Sequence, residues 1–263
     1  MSLLMNYKLR ISACQSLKLS GMVAVVTGGS RGIGFAIAKM LSENGASIVI
    51  TAKNQKRLEE SAILLENTIP VSADVRDSMA VNHVISMAVR KFGKIDILVN
   101  NAGVFPKVGR LDKIDENDWH DTINVNLTGP FRFAKAAIPH LQKTHGSIVN
   151  ISSNAGLKAF EGFNAAAYSA SKAGLVMLTK CWALEYSCDG IRVNCICPGA
   201  IKTDMTERFL SNPEDVEFMN KQYPLGRIGC PEEIAAAVLY LVSEQALWIT
   251  GSILPIDGGE SAK

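Results

Sequence analysis

No run of apolar residues in this sequence approaches the roughly 20 needed to cross a bilayer. A membrane partner is therefore not expected. Charge of either sign is nearly absent in net: 27 Lys and Arg face 25 Asp and Glu, leaving +2. That balance gives no strong field for nucleic acid, so none is expected as a partner. Cysteine is scarce and scattered. Cys14, Cys181, Cys188, Cys195, Cys197 and Cys230 form no CxxC pair, and His83, His120, His140 and His145 form no cluster. No metal site is expected from such spacing. Reduced, structural cysteines fit a cytoplasmic compartment. Linkers, low-complexity stretches and internal repeats are missing too, which argues for one domain.

What remains is the composition of a globular protein, 48% hydrophobic and 20% charged. Residues 1–18 carry Lys8, Arg10 and Lys18 without an acid. They read as an extension that is disordered; a weak organellar transit segment is the alternative. Residues 19–263 are expected to form a single Rossmann-type domain.

From Met22 onward, short apolar runs alternate with helical patterns. Strands are expected at 22–27, 47–51, 70–73, 95–99, 147–151, 191–196 and 252–256. Helices are expected at 35–44, 55–65, 79–92, 119–141 with a break near Gly129-Pro130, 166–186, and from Pro231. Residues 199–222 read as irregular or locally helical. Strands apolar throughout need cover on both faces. With helices between them, the economical solution is α/β, a doubly wound parallel sheet with helices on both faces.

The first strand runs into Thr27-Gly28-Gly29-Ser30-Arg31-Gly32-Ile33-Gly34 and then a helix. Glycine lets backbone approach a pyrophosphate, and a helix start offers N–H groups to an anion. Further along stand Asp74-Val75, Asn100-Asn101-Ala102-Gly103, Asn124-Val125-Asn126, Ile151-Ser152-Ser153, Tyr168-Ser169-Ala170-Ser171-Lys172, Pro198-Gly199 and Asp257-Gly258-Gly259. This ordered set, over roughly residues 19–260, resembles the short-chain dehydrogenase/reductase family. Within it, Ile201 to Thr206 and Pro224 to Arg227 look like the 3-oxoacyl-carrier-protein reductases.

Tyr168 and Lys172 lie four apart on an expected helix and so share a face. A neighbouring ammonium favours a phenolate, which would suit Tyr168 to acid–base work. The resemblance implies that Lys172 also holds the nicotinamide ribose. It implies that Ser153, with Ser152 as the alternative, donates to the substrate oxygen. Asn126 would hold a water or a backbone carbonyl in a proton relay reaching Lys172; a structural helix-kink Asn is its other reading. Cofactor contacts are implied for Gly28, Ser30, Arg31, Gly32, Ile33, Gly34, Asp74, Val75, Asn101, Ala102, Gly103, Pro198, Gly199, Ile201 and Thr203. The Ser153–Tyr168 interval exceeds the common family spacing by about two residues, placing an insertion near 160–164 beside the substrate.

The second strand ends Thr51-Ala52-Lys53-Asn54, without the acid that would bind an NAD ribose. Lys53 is positioned for a 2′-phosphate, and the resemblance implies that Arg31 lies on the same side, so NADP(H) is expected over NAD(H), with dual use as the alternative. The expected reaction is hydride transfer between nicotinamide and a carbonyl or secondary alcohol, on a small-molecule or acyl-carrier-bound substrate. A sugar or polyol dehydrogenase is the runner-up, and a non-catalytic cofactor-binding regulator is the rival of another class. Helices 131–141 and 175–184 carry apolar residues beyond one stripe. The resemblance pairs them between subunits, so a homotetramer is expected, then a dimer.

Overall fold

The computed structural model describes residues 17–207 and 212–263. Seven strands form one parallel sheet in the order β3-β2-β1-β4-β5-β6-β7. They are β1 Val23–Thr27, β2 Ser47–Ala52, β3 Thr68–Ser72, β4 Ile97–Asn100, β5 Ser147–Ile151, β6 Arg192–Pro198 and β7 Ile253–Ile256. Two of the three strands that contain proline, β3 with Pro70 and β7 with Pro255, are the sheet's edges. A missing N–H is tolerated there. Pro198 closes β6, at a strand end.

Successive residues of β1 face opposite sides, and both sides are apolar. Ala24 and Val26 pack with Ile37 and Leu41 of α1 (Gly32–Glu43) and with Ile234 and Val238 of the last helix, α9 (Pro231–Val242). Val25 joins the other core. That core includes Val81 and Val84 of α3 (Ser78–Phe92), Phe133 and Leu141 of α5 (Gly129–Thr144), and Trp182 of α6 (Ala166–Glu185). The remaining helices are α2 (Gln55–Ala62), α4 (Glu116–Ile123), α7 (Asp204–Glu207) and α8 (Pro213–Gln222). Leu19 is buried at the start of the domain, and Leu17, in the expected extension, packs against the core; residues 1–16 of that extension lie outside the described residues.

The expected break in the long helix is displaced. A π-helical turn, Asn124–Thr128, joins α4 to α5 directly, and Pro130 then sits in the first turn of α5. With the helix continuous there, Pro130 has no N–H to give the preceding turn, and the π-helical step lies beside that missing bond. Segment 199–222 is locally helical at α7 and α8; residues 208–211 lie outside the described ones.

A buried polar chain ties three elements together. Asn100 Nδ2 of β4 donates to Asn150 Oδ1 of β5 at 2.8 Å, and Asn150 Nδ2 donates to Thr179 Oγ1 of α6 at 2.9 Å. This fixes α6 against the sheet's centre. Asn150→Ala strands the Asn100 amide in a dry interior, where an unpaired polar group costs about 1–3 kcal/mol. Urea unfolding should show a loss of that size. A change under about 0.5 kcal/mol, ordinary for a surface position, would contradict the role.

Candidate active site

Strand order reverses direction between β1 and β4, and ligands of open parallel sheets bind at such a crevice beyond the strand C-termini. A cleft of about 1000 Å³ lies there. Apart from Asn126, every site residue read from the sequence lines it.

Its floor is the turn from β1 into α1. The Gly28 and Gly29 N–H groups donate to the Thr51 carbonyl at 2.8 and 3.2 Å. Gly28 has φ +66°, and a Cβ there would lie 2.9 Å from the Asn101 amide nitrogen. At Gly34 a Cβ would collide with the Gly28 carbonyl. Only glycine lets the turn close this tightly. Arg31, the N-cap of α1, makes no side-chain cap, and Gly32, Ile33 and Gly34 line the cleft beside it. These observations fit a dinucleotide pyrophosphate. Thr27, which was not singled out from the sequence, is the hub of this floor. Its Oγ1 accepts from the N–H groups of Asn101 and Ala102 at 3.0 and 2.9 Å. Its only sequence signal is its place at the head of the glycine turn.

At the centre of the cleft, α6 brings Tyr168 and Lys172 to the end of β5. Lys172 Nζ donates to the Ile151 carbonyl at 2.9 Å and lies 5.6 Å from the Tyr168 ring centroid. Burial lowers the Lys172 pKa to about 8. The sequence leads one to expect a lowered phenol pKa as well. Instead desolvation dominates and pushes Tyr168 up, opposed in part by its hydrogen bond with Ser153. The two serines separate by their partners. Ser152 Oγ donates to the Lys172 carbonyl at 2.8 Å, spent on the α6 backbone, whereas Ser153 Oγ makes longer bonds, accepting from the Ala155 N–H and donating to Asn154 Oδ1, both at 3.2 Å, on the side of Tyr168.

Asn126 stands just behind the cleft. Its side chain grips Val104 at both backbone atoms, accepting from N–H at 2.8 Å and donating to the carbonyl at 2.9 Å. It also donates to Ser171 Oγ at 3.2 Å. Its backbone partner in this structure is Val104, on the loop after β4. Asn126 and Lys172 converge on Gly103, where a Cβ would sit 3.4 Å from Asn126 Oδ1 and 3.6 Å from Lys172 Nζ.

One wall is aromatic. The Phe105 ring lies 4.9 Å from Tyr168 and 5.6 Å from Phe163, and Phe160 lies 6.1 Å from Phe163. Phe160 and Phe163 come from the expected insertion. Across the cleft, Pro198, Gly199, Ile201 and Thr203 line the strip after β6. Tyr223, another residue the sequence did not flag, braces it by accepting from Ala200 N–H at 2.8 Å.

The far end is cationic. Lys53 and Arg31 are there, joined by Arg57 and Arg76, which the sequence reading passed over. Lys53 Nζ lies 3.3 Å from Asp74, and Arg76 binds the same carboxylate at 2.8 Å. Arg31 and Arg57 both approach Asp204. The Arg76 hydrogen bond is the largest influence on Asp74 and holds it at about 2. A depressed carboxylate stabilises the fold above its unfolded pKa, and that stability is lost as pH falls through the folded value. Arg76→Gln should move the Asp74 carboxyl titration, followed by 13C NMR, from about 2 towards the ordinary 3.8. A midpoint still near 2 would show that Arg76 is not the cause.

Comparison with known proteins agrees with this geometry. The family model described as Enoyl-(Acyl carrier protein) reductase matches residues 28–261. A 3-oxoacyl-(acyl-carrier-protein) reductase FabG from Thermotoga maritima is 38% identical over 248 residues, covering 92% of this chain and 99% of its own. A meso-2,3-butanediol dehydrogenase from Serratia marcescens is 36% identical, covering 94% and 97%. The crystal structure of a short-chain type dehydrogenase/reductase from Mycobacterium marinum superposes with a TM-score of 0.89 at 32% identity, covering 94% and 98%. With a glycine-cradled nucleotide cleft and a Ser–Tyr–Lys cluster at its centre, the chain belongs to the short-chain dehydrogenase/reductase family, oxidoreductases that use a nicotinamide cofactor on CH–OH and carbonyl groups.

Proposed function

We propose that the protein is an NADP(H)-dependent carbonyl reductase acting on 3-oxoacyl groups carried as small thioesters or on an acyl carrier. The observation that carries the reading is the placement of Tyr168 beside Lys172 at the end of β5, against an aromatic wall, with its phenol pushed above the ordinary value by desolvation. A protonated phenol is the acid that carbonyl reduction needs. The bound nicotinamide supplies the hydride at its C4. The chain's own groups do the rest. Tyr168 gives its proton to the carbonyl oxygen, and Ser153 donates a hydrogen bond to the same oxygen. Lys172 holds the nicotinamide ribose and, while charged, favours the phenolate left behind. Asn126 keeps the Gly103-Val104 backbone in place beside Lys172. The glycine turn, Ser30, Asp74, Val75, Asn101 to Gly103 and the 198–203 strip hold the cofactor.

The wall of Phe105, Phe160 and Phe163 supports an apolar acyl group. The butanediol dehydrogenase among the relatives keeps a diol or polyol dehydrogenase as the second reading. A polyol needs a polar partner for each hydroxyl, which that wall does not supply. Preference for NADP(H) is supported by the four cations at the far end and by Lys53 at the end of β2. Oligomerisation is supported by apolar surface: Met177 and Leu184 of α6 are 57% and 80% exposed, and Trp248 is 92% exposed. We place the protein in the cytoplasm as a homotetramer, with its cysteines reduced.

Tyr168→Phe should lower kcat for 3-oxoacyl reduction by at least about a hundredfold, the usual scale of acid–base catalysis. Cofactor affinity should hardly change, and near-normal turnover would discard the assignment. Wild-type kcat/KM should favour NADPH, and Lys53→Ala with Arg31→Ala should erase that preference through a raised KM. Equal or better use of NADH by wild type would overturn it. Light scattering at micromolar concentration should give a tetrameric mass; a monomer would contradict the assembly.

A further inference from the structure

At the cationic end of the cleft, four positive side chains are shared among three carboxylates, Asp74, Asp204 and Asp121, the last bound by Arg76 at 2.8 Å. Asp74 holds Lys53 and Arg76, and it is itself anchored at the end of β3 by the Arg76 N–H at 2.9 Å. Asp204 holds the other two. Its Oδ2 lies 2.9 Å from Arg31 Nη1 and 3.1 Å from Arg57 Nη2. Asp204 opens the short helix α7, on the segment that follows β6 across the cleft. That segment rests on the glycine turn, since a Cβ at Gly32 would come within 3.2 Å of Thr203 Cγ2. Its next residues, Met205 and Thr206, line the cleft as well.

Two guanidinium groups converging on one carboxylate oxygen form the kind of donor set that takes a phosphate monoester. The same donors cannot serve two anions fully, and a dianion beside a carboxylate is repelled by it. We propose that Asp204 is a tethered anion seated on the arginine pair that receives the cofactor's ribose 2′-phosphate, with Arg57 as a phosphate ligand beside Arg31. Affinity for the phosphorylated cofactor is then set by a competition that unphosphorylated NAD(H) does not enter. The inference rests on the proposed NADP(H) preference and goes beyond it, since neither Arg57 nor Asp204 belongs to the glycine motif or to the end of β2. The contest couples the cofactor's adenosine end to the segment beside the substrate. Displacing Asp204 frees α7 from the floor of the cleft.

Both pairs are solvent-exposed, so the exchange is cheap and the expected effects are modest. Calorimetric titration with 2′,5′-ADP and with 5′-AMP separates the terms, because the two differ only in the 2′-phosphate. Asp204→Asn should bind 2′,5′-ADP about two- to fivefold more tightly than wild type, the scale of one exposed ion pair, with 5′-AMP unchanged within about 1.5-fold. Arg57→Gln should weaken 2′,5′-ADP alone, and in that background the gain from Asp204→Asn should shrink. Unchanged melting temperatures would show that these exposed substitutions leave the fold intact. If Asp204→Asn leaves 2′,5′-ADP binding unchanged or weaker, Asp204 positions the arginines instead, and the competition is overturned while NADP(H) preference stands. If wild type and Asp204→Asn both bind 5′-AMP as tightly as 2′,5′-ADP, the NADP(H) reading fails and takes this inference with it.

Discussion

A buried ammonium organises the site. Lys172 is 4% exposed, and its Nζ donates to the Ile151 carbonyl at 2.9 Å. A charge so placed must be paired or hydrogen-bonded, or it gives up its proton. The partner here is the last carbonyl of a central strand, so the bond pins α6 to the end of β5. Ser152 reinforces the seam by donating to the Lys172 carbonyl at 2.8 Å. Packing leaves no slack, because a Cβ at Gly156 would lie 2.7 Å from the Lys172 carbonyl carbon. The Asn100–Asn150–Thr179 chain holds the same helix from the interior.

The sheet then divides the cleft by chemistry. The cationic end is contributed by the turn after β1, the end of β2, α2 and the segment after β3. The apolar end is contributed by the insertion before α6, the loop after β4 and the segment after β6. The glycine turn lies between them, over the point where strand order reverses. Desolvation at the centre acts on both titratable groups of the proposed chemistry, pushing the phenol up and the ammonium down. The phenol is thereby held in its neutral form, ready to give a proton to a carbonyl, while the ammonium keeps the charge that stabilises the phenolate left behind as long as the pH stays below about 8.

Much of this was legible in the chain because it is locally encoded. β1, β2 and β5 fall within one residue of their expected bounds, since each is a short run dominated by valine and isoleucine. The glycine turn and the Tyr–Lys spacing are patterns a few residues long. The π turn at Asn126 was not legible, because a helix that changes its hydrogen-bond step keeps its apolar character. Arg57 and Arg76 were missed for a different reason. Arg57 meets Asp204 far along the chain, and Arg76 reaches Asp121 from another element. Such pairs leave no local spacing to read. The depressed phenol pKa expected from the Tyr–Lys spacing failed because spacing reports proximity and says nothing of desolvation.

The central claim is that Tyr168 works as an acid held protonated by burial beside a charged Lys172. The pH dependence of kcat/KM for carbonyl reduction with the preferred cofactor tests it directly. The account predicts a rate flat through neutrality that declines only as Lys172 loses its proton, near pH 8. A decline governed by an apparent pKa below about 7, well under the ordinary phenol value near 10, would mean that the phenol ionises early, and would contradict the account.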